Sequence, residues 1–299
     1  ESGIPPYDTL DPVTARNLYD KACEAGRGEP PQPVEVKDFK ISGPAGEIPL
    51  RYYRAVNQSN LPILVFYHGG GYTIGSLDSH DAVCRHLCVG AECIVVAVDY
   101  RMGPEHRFPA AADDAYAALC WVVENAKAID GDVQRIAVGG DSAGGNLAAV
   151  TCLTARDAEG PEVIFQLLIY PGTDMTESFP SHKTYGEGYL LTSKLIHWFH
   201  GNYLAPDTDP CYWKASPLHA TDHSGLPAAH VITAGFDPLQ DEGIAYADKL
   251  RAAGVAVTHQ LYAGMLHGFI TQPKYIDVCQ SALKDCAEKL KQGYASAAS

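Results

Sequence analysis

The sequence predicts an α/β fold in which a mostly parallel, eight-stranded sheet is covered on both faces by helices. Two polar, alternating stretches near the start are followed by six apolar runs, and those runs alternate with helix-period patterns. Alternation of this kind builds a parallel sheet with helices packed on each side. A serine between two glycines, set where an apolar run gives way to a helical pattern, marks one of the strand-to-helix turns.

The elements follow in order. Asp11 as N-cap and Pro12 at the first helical position open a helix over residues 11–26. Residues 34–41 and 48–54 read as an antiparallel pair joined by the turn Gly43-Pro44-Ala45-Gly46. The six further strands fall at 63–67, 93–98, 135–138, 163–170, 230–234 and 255–261, with helices at 80–90, 110–126, 143–155, 243–253 and 273–292. Residues 173–222 interrupt the alternation with a long, proline-rich stretch carrying Phe179, Tyr185, Tyr189, Trp198, Phe199, Tyr203, Tyr212 and Trp213. A long insertion inside a compact domain is usually functional. Most of its aromatics read as a small core of their own.

Composition bounds the function. A chain of 299 residues is long enough for one large domain, and no repeat, low-complexity tract or long linker divides it, so residues 1–299 read as a single domain. With 36 acidic against 22 basic residues the net charge is −14, which argues against nucleic acid or an anionic membrane as partner. No apolar run is long enough to span a bilayer, and no cationic, apolar leader opens the chain, although it starts at Glu1 without a methionine. Nine scattered cysteines suit a reduced cytosol better than a disulfide framework, so the expected location is cytoplasmic. Cys84, Cys88 and Cys93 come nearest to metal-ligand spacing but read as buried small side chains, as do Cys279 and Cys286. No metal and no cofactor is expected.

Three segments carry chemistry. In Gly140-Asp141-Ser142-Ala143-Gly144 a tight turn exposes the Ser142 hydroxyl at the top of the sheet, and small neighbours are required on both sides. His68-Gly69-Gly70-Gly71 follows the apolar run 61–67 and reads either as a flexible turn or as a loop aiming backbone N–H groups at a common point. On the second reading Gly69, Gly70 and Ala143 supply an oxyanion hole, with His68 and Gly71 supporting the loop. Further on, a strand ends at Asp237 and another leads into a loop carrying His267. Loops beyond strand carboxyl ends are where open α/β sheets gather catalytic groups. A serine needs an imidazole to take its proton and a carboxylate to orient that imidazole, so Ser142, His267 and Asp237 form the candidate catalytic set. Asp241, Glu242 and, more remotely, Asp174 are alternative acids. His106, His197, His200, His219, His223, His230 and His259 lack the placement of a base, and Asp141 beside the serine reads as a supporting group.

With these segments in place the chain resembles the hormone-sensitive-lipase-like branch of the α/β-hydrolase family. The resemblance runs through His68–Gly71, Gly140–Gly145, Asp237–Leu239 and His267–Phe269, over roughly residues 36–291. A further match at Asp99-Tyr100-Arg101-Met102-Gly103-Pro104-Glu105-His106 departs from the family's wording at Met102-Gly103, and Gly235-Phe236 departs where the family often has an acid before the segment that Asp237-Pro238-Leu239 matches. The family implies that residues 1–33 and 173–222 come together as a helical cap over the site, with the aromatics of the insertion available to line an acyl or alcohol pocket. It also implies a serine carboxylesterase acting on short- to medium-chain esters through an acyl-enzyme, without a cofactor. The expected partner is a small-molecule ester, with no nucleic acid and no stable membrane association, and a homodimer is left open. An amidase such as an arylformamidase would use the same apparatus. Non-enzymatic receptors of this branch have lost the histidine that His267 supplies here.

Overall fold

The structure, a computed structural model, describes residues 5–296. The first four residues of the expected cap lie outside that range. The sheet has eight strands: β1 (Glu35–Gly43), β2 (Gly46–Arg54), β3 (Leu61–Tyr67), β4 (Ile94–Val98), β5 (Gly131–Asp141), β6 (Phe165–Ile169), β7 (Ala228–Phe236) and β8 (Val257–Leu266). Their spatial order is β1-β2-β4-β3-β5-β6-β7-β8. β1 pairs with β2 and β2 with β4 in antiparallel fashion, and every other pairing is parallel.

All seven residues of β3 are buried, because this central strand is covered on both faces. Its side chains alternate between two cores: Ile63, Val65 and Tyr67 face one, Leu64 and Phe66 the other. The first core is completed by α3 (Ala110–Asn125), α4 (Ala143–Asp157) and α7 (Gln240–Ala252), the second by α2 (Asp81–Ala91) and α8 (Asp277–Ser296). Each fully buried aliphatic side chain contributes about 1.5–3 kcal/mol relative to leaving it in water. Cys84, Cys88 and Cys93 belong to the second core, as do Cys279 and Cys286 on one face of α8. That is the packing role their spacing suggests.

A third, smaller core joins two elements far apart in sequence. Helix α1 (Pro12–Gly26) is capped by Asp11, whose side chain accepts from the Thr14 N–H. Its Ala15 is buried with Leu191, Leu195, Ile196 and Phe199 of the insertion and with Ile74. The insertion itself divides. Helices α5 (Pro180–Tyr185) and α6 (Ser193–Tyr203) are followed by a segment that runs back along the main body. There Ala215 and Leu218 enter the first core, and the Ala215 carbonyl accepts from Asn146 of α4. Of the eight aromatics in the insertion, Tyr189 and Phe199 line the large cavity above the sheet. Tyr203 belongs to the first core, and the half-buried Phe179 and Trp213 pack against it.

Element boundaries shift where tertiary bonds override local pattern. α8 begins at Asp277 rather than at residue 273, because the Lys274 N–H is drawn to the Gly26 carbonyl at the end of α1. α7 starts three residues before the expected position, directly after the Asp237-Pro238-Leu239 turn.

Candidate active site

Ser142 sits at the junction of β5 and α4 with φ +53 and ψ −117, the strained, left-handed-side backbone of a sharp turn. The turn closes only because glycines flank it. A Cβ on Gly140 would come within 2.4 Å of the Tyr67 carbonyl and the Gly144 backbone, and one on Gly144 within 1.9 Å of the Tyr67 carbonyl. The Ser142 N–H donates to the Ile169 carbonyl, which locks the turn to β6.

His267 immediately follows β8, and Asp237 immediately follows β7. The adjacency of these two strands places the side chains in bonding range: His267 Nδ1 lies 2.7 Å from Asp237 Oδ2, and Nε2 lies 2.8 Å from Ser142 Oγ. A carboxylate only accepts, so Nδ1 carries the proton and Nε2 presents its lone pair to the serine hydroxyl. The second oxygen of Asp237 accepts from the Leu239 N–H at 2.9 Å. Asp237 is fully buried and His267 nearly so, with the Tyr170 ring 4.7 Å from the imidazole. The structure therefore brings Ser142, His267 and Asp237 together in one relay.

The alternative acids are occupied elsewhere. Asp241 accepts from the Ser181 N–H at the start of α5. Asp174 accepts from Thr176, Ser178 and His219, and although burial opposes it, these bonds hold its carboxyl below the usual range. Glu242 is fully buried; it accepts from the N–H groups of Thr173 and Asp174 and lies 2.7 Å from His182 Nε2. Burial raises its carboxyl despite those bonds, and burial works against His182 while the Glu242 bond raises it. His197 and His200 pair with Glu177, His230 with Asp285, His223 with the Pro217 carbonyl, and His259 with Thr233. Exposed His106 makes no side-chain bond to this relay.

The glycine loop is assigned differently from the sequence expectation. The Gly69 N–H donates to Asp141 Oδ1 at 2.8 Å, so it is spent inside the protein and does not supply an oxyanion hole. The cavity wall is formed instead by Gly70 and Gly71 together with Ala143. Among the described residues no protein acceptor meets the N–H groups of these three. A Cβ on Gly69 would lie 2.4 Å from the Asp141 carboxylate, which is why that position is glycine. Gly70 and Gly71 have φ of +119 and +57, which a residue with a side chain rarely adopts.

His68 braces this loop. Its Nδ1 lies 2.8 Å from the Gly69 carbonyl, and its ring stacks on Tyr100 with centroids 4.4 Å apart. Burial pushes its imidazole down to about 4, so near neutral pH it is uncharged and Nδ1 is the donor. The Tyr100 hydroxyl donates to the His68 carbonyl. Arg101 next to it forms a two-pronged pair with Asp114, and Glu105 does the same with Arg16 of α1. The Asp99–His106 segment thus supports the loop and ties down α1. Sequence reasoning missed both His80, which lies 3.1 Å from Asp141, and Arg16, because neither falls within a local motif.

Above Ser142 lies a cavity of about 630 Å³. Its walls are mostly apolar, with Ile74, Leu191, Leu195, Ile196, Phe199 and Leu239 among them. Among the described residues no group of three or more His, Cys, Asp or Glu side chains could hold a metal ion.

A mostly parallel sheet in this strand order, with a serine on the turn after a central strand and an acid and a histidine after the last two, defines an α/β hydrolase. A family model described as the alpha/beta hydrolase fold matches residues 64–271, and the chain belongs to that family, in its hormone-sensitive-lipase-like branch. It is 49% identical to the carboxylic ester hydrolase LipN of Mycobacterium tuberculosis over 267 residues, covering 87% of this chain and 71% of that one. It is 36% identical to an ethyl acetate hydrolase of Pseudomonas putida, covering 96% of this chain and 92% of that one. An ester hydrolase from the metagenome of Lake Arreo, solved with a bipyridine phosphonate derivative, superposes with a TM-score of 0.95 at 43% identity, covering 98% of this chain and 94% of that one.

Proposed function

We propose that the protein is a serine carboxylesterase that hydrolyses short- to medium-chain esters through an acyl-enzyme. The observation that carries this is the relay Asp237–His267–Ser142, with bonds of 2.7 and 2.8 Å, opening into a cavity of about 630 Å³. Ser142 Oγ attacks the ester carbonyl while His267 Nε2 takes its proton, and Asp237 stabilises the imidazolium. The carbonyl oxygen, now negative, is received by the N–H groups of Gly70, Gly71 and Ala143. His267 returns the proton to the leaving alcohol. Water then enters and attacks the acyl carbonyl as the same imidazole takes its proton; the bond to Ser142 Oγ breaks, the acid leaves, and His267 returns the proton to Oγ.

Helices α1 and α6 act as a cap over this site, an assignment supported by their shared core around Phe199, and α5 joins them through the bonds of Ser181 and His182 to Asp241 and Glu242. Residues 205–222 belong with the main body on the same grounds. A second copy of the chain is the natural partner of β8, an edge strand of the sheet whose Leu261 and Leu266 are exposed. No helix among the described residues is long and apolar enough to cross a membrane. A cytoplasmic location accords with the nine cysteines, all free thiols.

The test is hydrolysis of p-nitrophenyl esters of graded length by the wild type and by Ser142→Ala. Turnover by the wild type that Ser142→Ala abolishes is the expected result. Turnover that survives in the variant overturns the assignment.

A further inference from the structure

Backbone N–H groups cannot be aimed by rotamers, so the aim of the oxyanion donors is set by whatever fixes their peptide planes. A peptide unit is planar and trans, so the carbonyl of one residue points opposite to the N–H of the next. Holding the Gly69 carbonyl therefore directs the Gly70 N–H, and holding the Gly70 carbonyl directs the Gly71 N–H. His68 Nδ1 grips the first at 2.8 Å. The N–H groups of Thr73 and Ile74 grip the second at 3.1 and 2.9 Å.

The unit that precedes these two runs from the His68 carbonyl, which accepts from the Tyr100 hydroxyl at 2.7 Å, to the Gly69 N–H, which donates to Asp141 Oδ1 at 2.8 Å. Asp141 is itself bonded to His80 Nε2 at 3.1 Å, and His80 Nδ1 lies 2.9 Å from Ser79 Oγ. Ser79 is fixed in turn by the Ser76 N–H, which donates to its Oγ at 2.8 Å. Asp141 and His80 are both almost wholly buried, and neither hydrogen-bonds to Ser142, His267 or Asp237. Burial opposes the charge on Asp141, yet His80 and the Gly69 N–H hold its carboxyl below the usual range. A charged acceptor bonds an N–H roughly twice as strongly as a neutral one, which suits the anchoring of a glycine run with so much conformational freedom.

We propose that Asp141, oriented by His80, is a positioning residue that registers the oxyanion donors against the nucleophile. Asp141 is covalently next to Ser142, so one carboxylate ties the turn that carries the nucleophile to the loop that receives the negative oxygen. This rests on the esterase reading above.

The test compares the wild type with His80→Ala, His80→Gln, Asp141→Ala and Asp141→Asn. Each is assayed for kcat and KM on p-nitrophenyl butanoate and for inhibition by a trifluoromethyl ketone of matching length, which forms a tetrahedral adduct. Reactive sites are counted with a phosphonate. In His80→Ala and Asp141→Ala, kcat per titrated site should fall by about tenfold to several hundredfold, and ketone affinity should fall in parallel. KM should stay within about threefold. His80→Gln, whose amide N–H replaces Nε2–H, should recover most of the loss, and Asp141→Asn should be intermediate. Unchanged kcat per titrated site, or ketone affinity that holds while kcat falls, overturns the proposal. Where the alanine variants fail to fold, Asp141→Asn decides: wild-type kcat and ketone affinity there overturn it as well. A wild type that neither hydrolyses the ester nor reacts with the phosphonate removes the esterase reading, and this proposal with it.

Discussion

The ring of Tyr72 lies flat on that of Tyr203, with centroids 3.7 Å apart and planes within 7°. Tyr72 directly follows the glycine loop and Tyr203 ends α6, so this contact couples the helices above the site to the loop beneath them. Both rings are buried. Tyr203→Phe keeps the stacked face and should leave kcat and Tm near wild type, since no protein group among the described residues bonds the Tyr203 hydroxyl. Tyr203→Ala removes the face and should cost about 3–5 kcal/mol by denaturant unfolding, with kcat reduced as well. Equal stabilities for the two variants would count against the coupling.

Ser142→Ala and His267→Ala should each lower kcat by roughly 10⁴-fold or more with the fold retained, because the members of such a relay act as one unit. Asp237→Asn should cost less than Ser142→Ala, by about a hundredfold. Asp241→Asn, which touches the start of α5 and not His267, should keep kcat within about threefold. Steady-state kinetics on one ester checks all four, and a collapse in Asp241→Asn would reassign the acid.

Acyl length should act through the cavity. Each extra buried methylene is worth about 0.8 kcal/mol, so kcat/KM should climb with chain length until the cavity is full, at roughly four to eight carbons, and then fall. Phe199 lines that cavity and its ring rests against Gly71. Phe199→Ala should move the maximum to longer esters. A profile that keeps rising through sixteen-carbon substrates would mean that the apolar walls do not limit the acyl chain.

Prolonged chelation should leave turnover unchanged, because in the proposed mechanism Ser142, His267 and Asp237 supply nucleophile, base and orienting charge among themselves. An organophosphate should label Ser142 at one equivalent. Activity lost to the chelator and restored by added zinc or calcium would contradict this.

The Arg16–Glu105 pair predicts an acid limb of stability. The Arg16 hydrogen bonds pull the Glu105 carboxyl from its ordinary 4.5 to about 2. A carboxyl lowered on folding stabilises the native state fully above its unfolded value, and that contribution is lost as pH falls through the folded value. The Tm gap between wild type and Glu105→Gln should therefore be constant above pH 5 and narrow between about pH 4.5 and 2. A gap that does not change with pH would show that the pair does not carry it.

Much of the site was legible because its parts are local. The Ser142 turn needs glycines at fixed offsets, and the positions after β7 and β8 follow from strand order alone. What escaped the sequence depends on contacts between distant segments. Whether Gly69 or Gly71 turns its N–H inward is decided by Asp141, 72 positions away, and His80 stands in no motif at all. Arg16 reaches the Thr73 and Gly103 carbonyls as well as Glu105, a set of partners 57 to 89 residues distant. The insertion's aromatics were divisible into core and cavity only once α6 had been laid across α1.

His267 hangs from an edge strand of the sheet. Within one chain β8 pairs on one side only, with β7, and none of its residues is fully buried, whereas β5, which leads to Ser142, is held from both sides. Edge strands open locally at lower free energy than central ones. Fraying of β8 would carry His267 away from Ser142 and leave the serine, its turn and the glycine loop in place. Heat should therefore silence the enzyme several degrees before it melts, and brief warming followed by cooling should restore turnover without any refolding of the core.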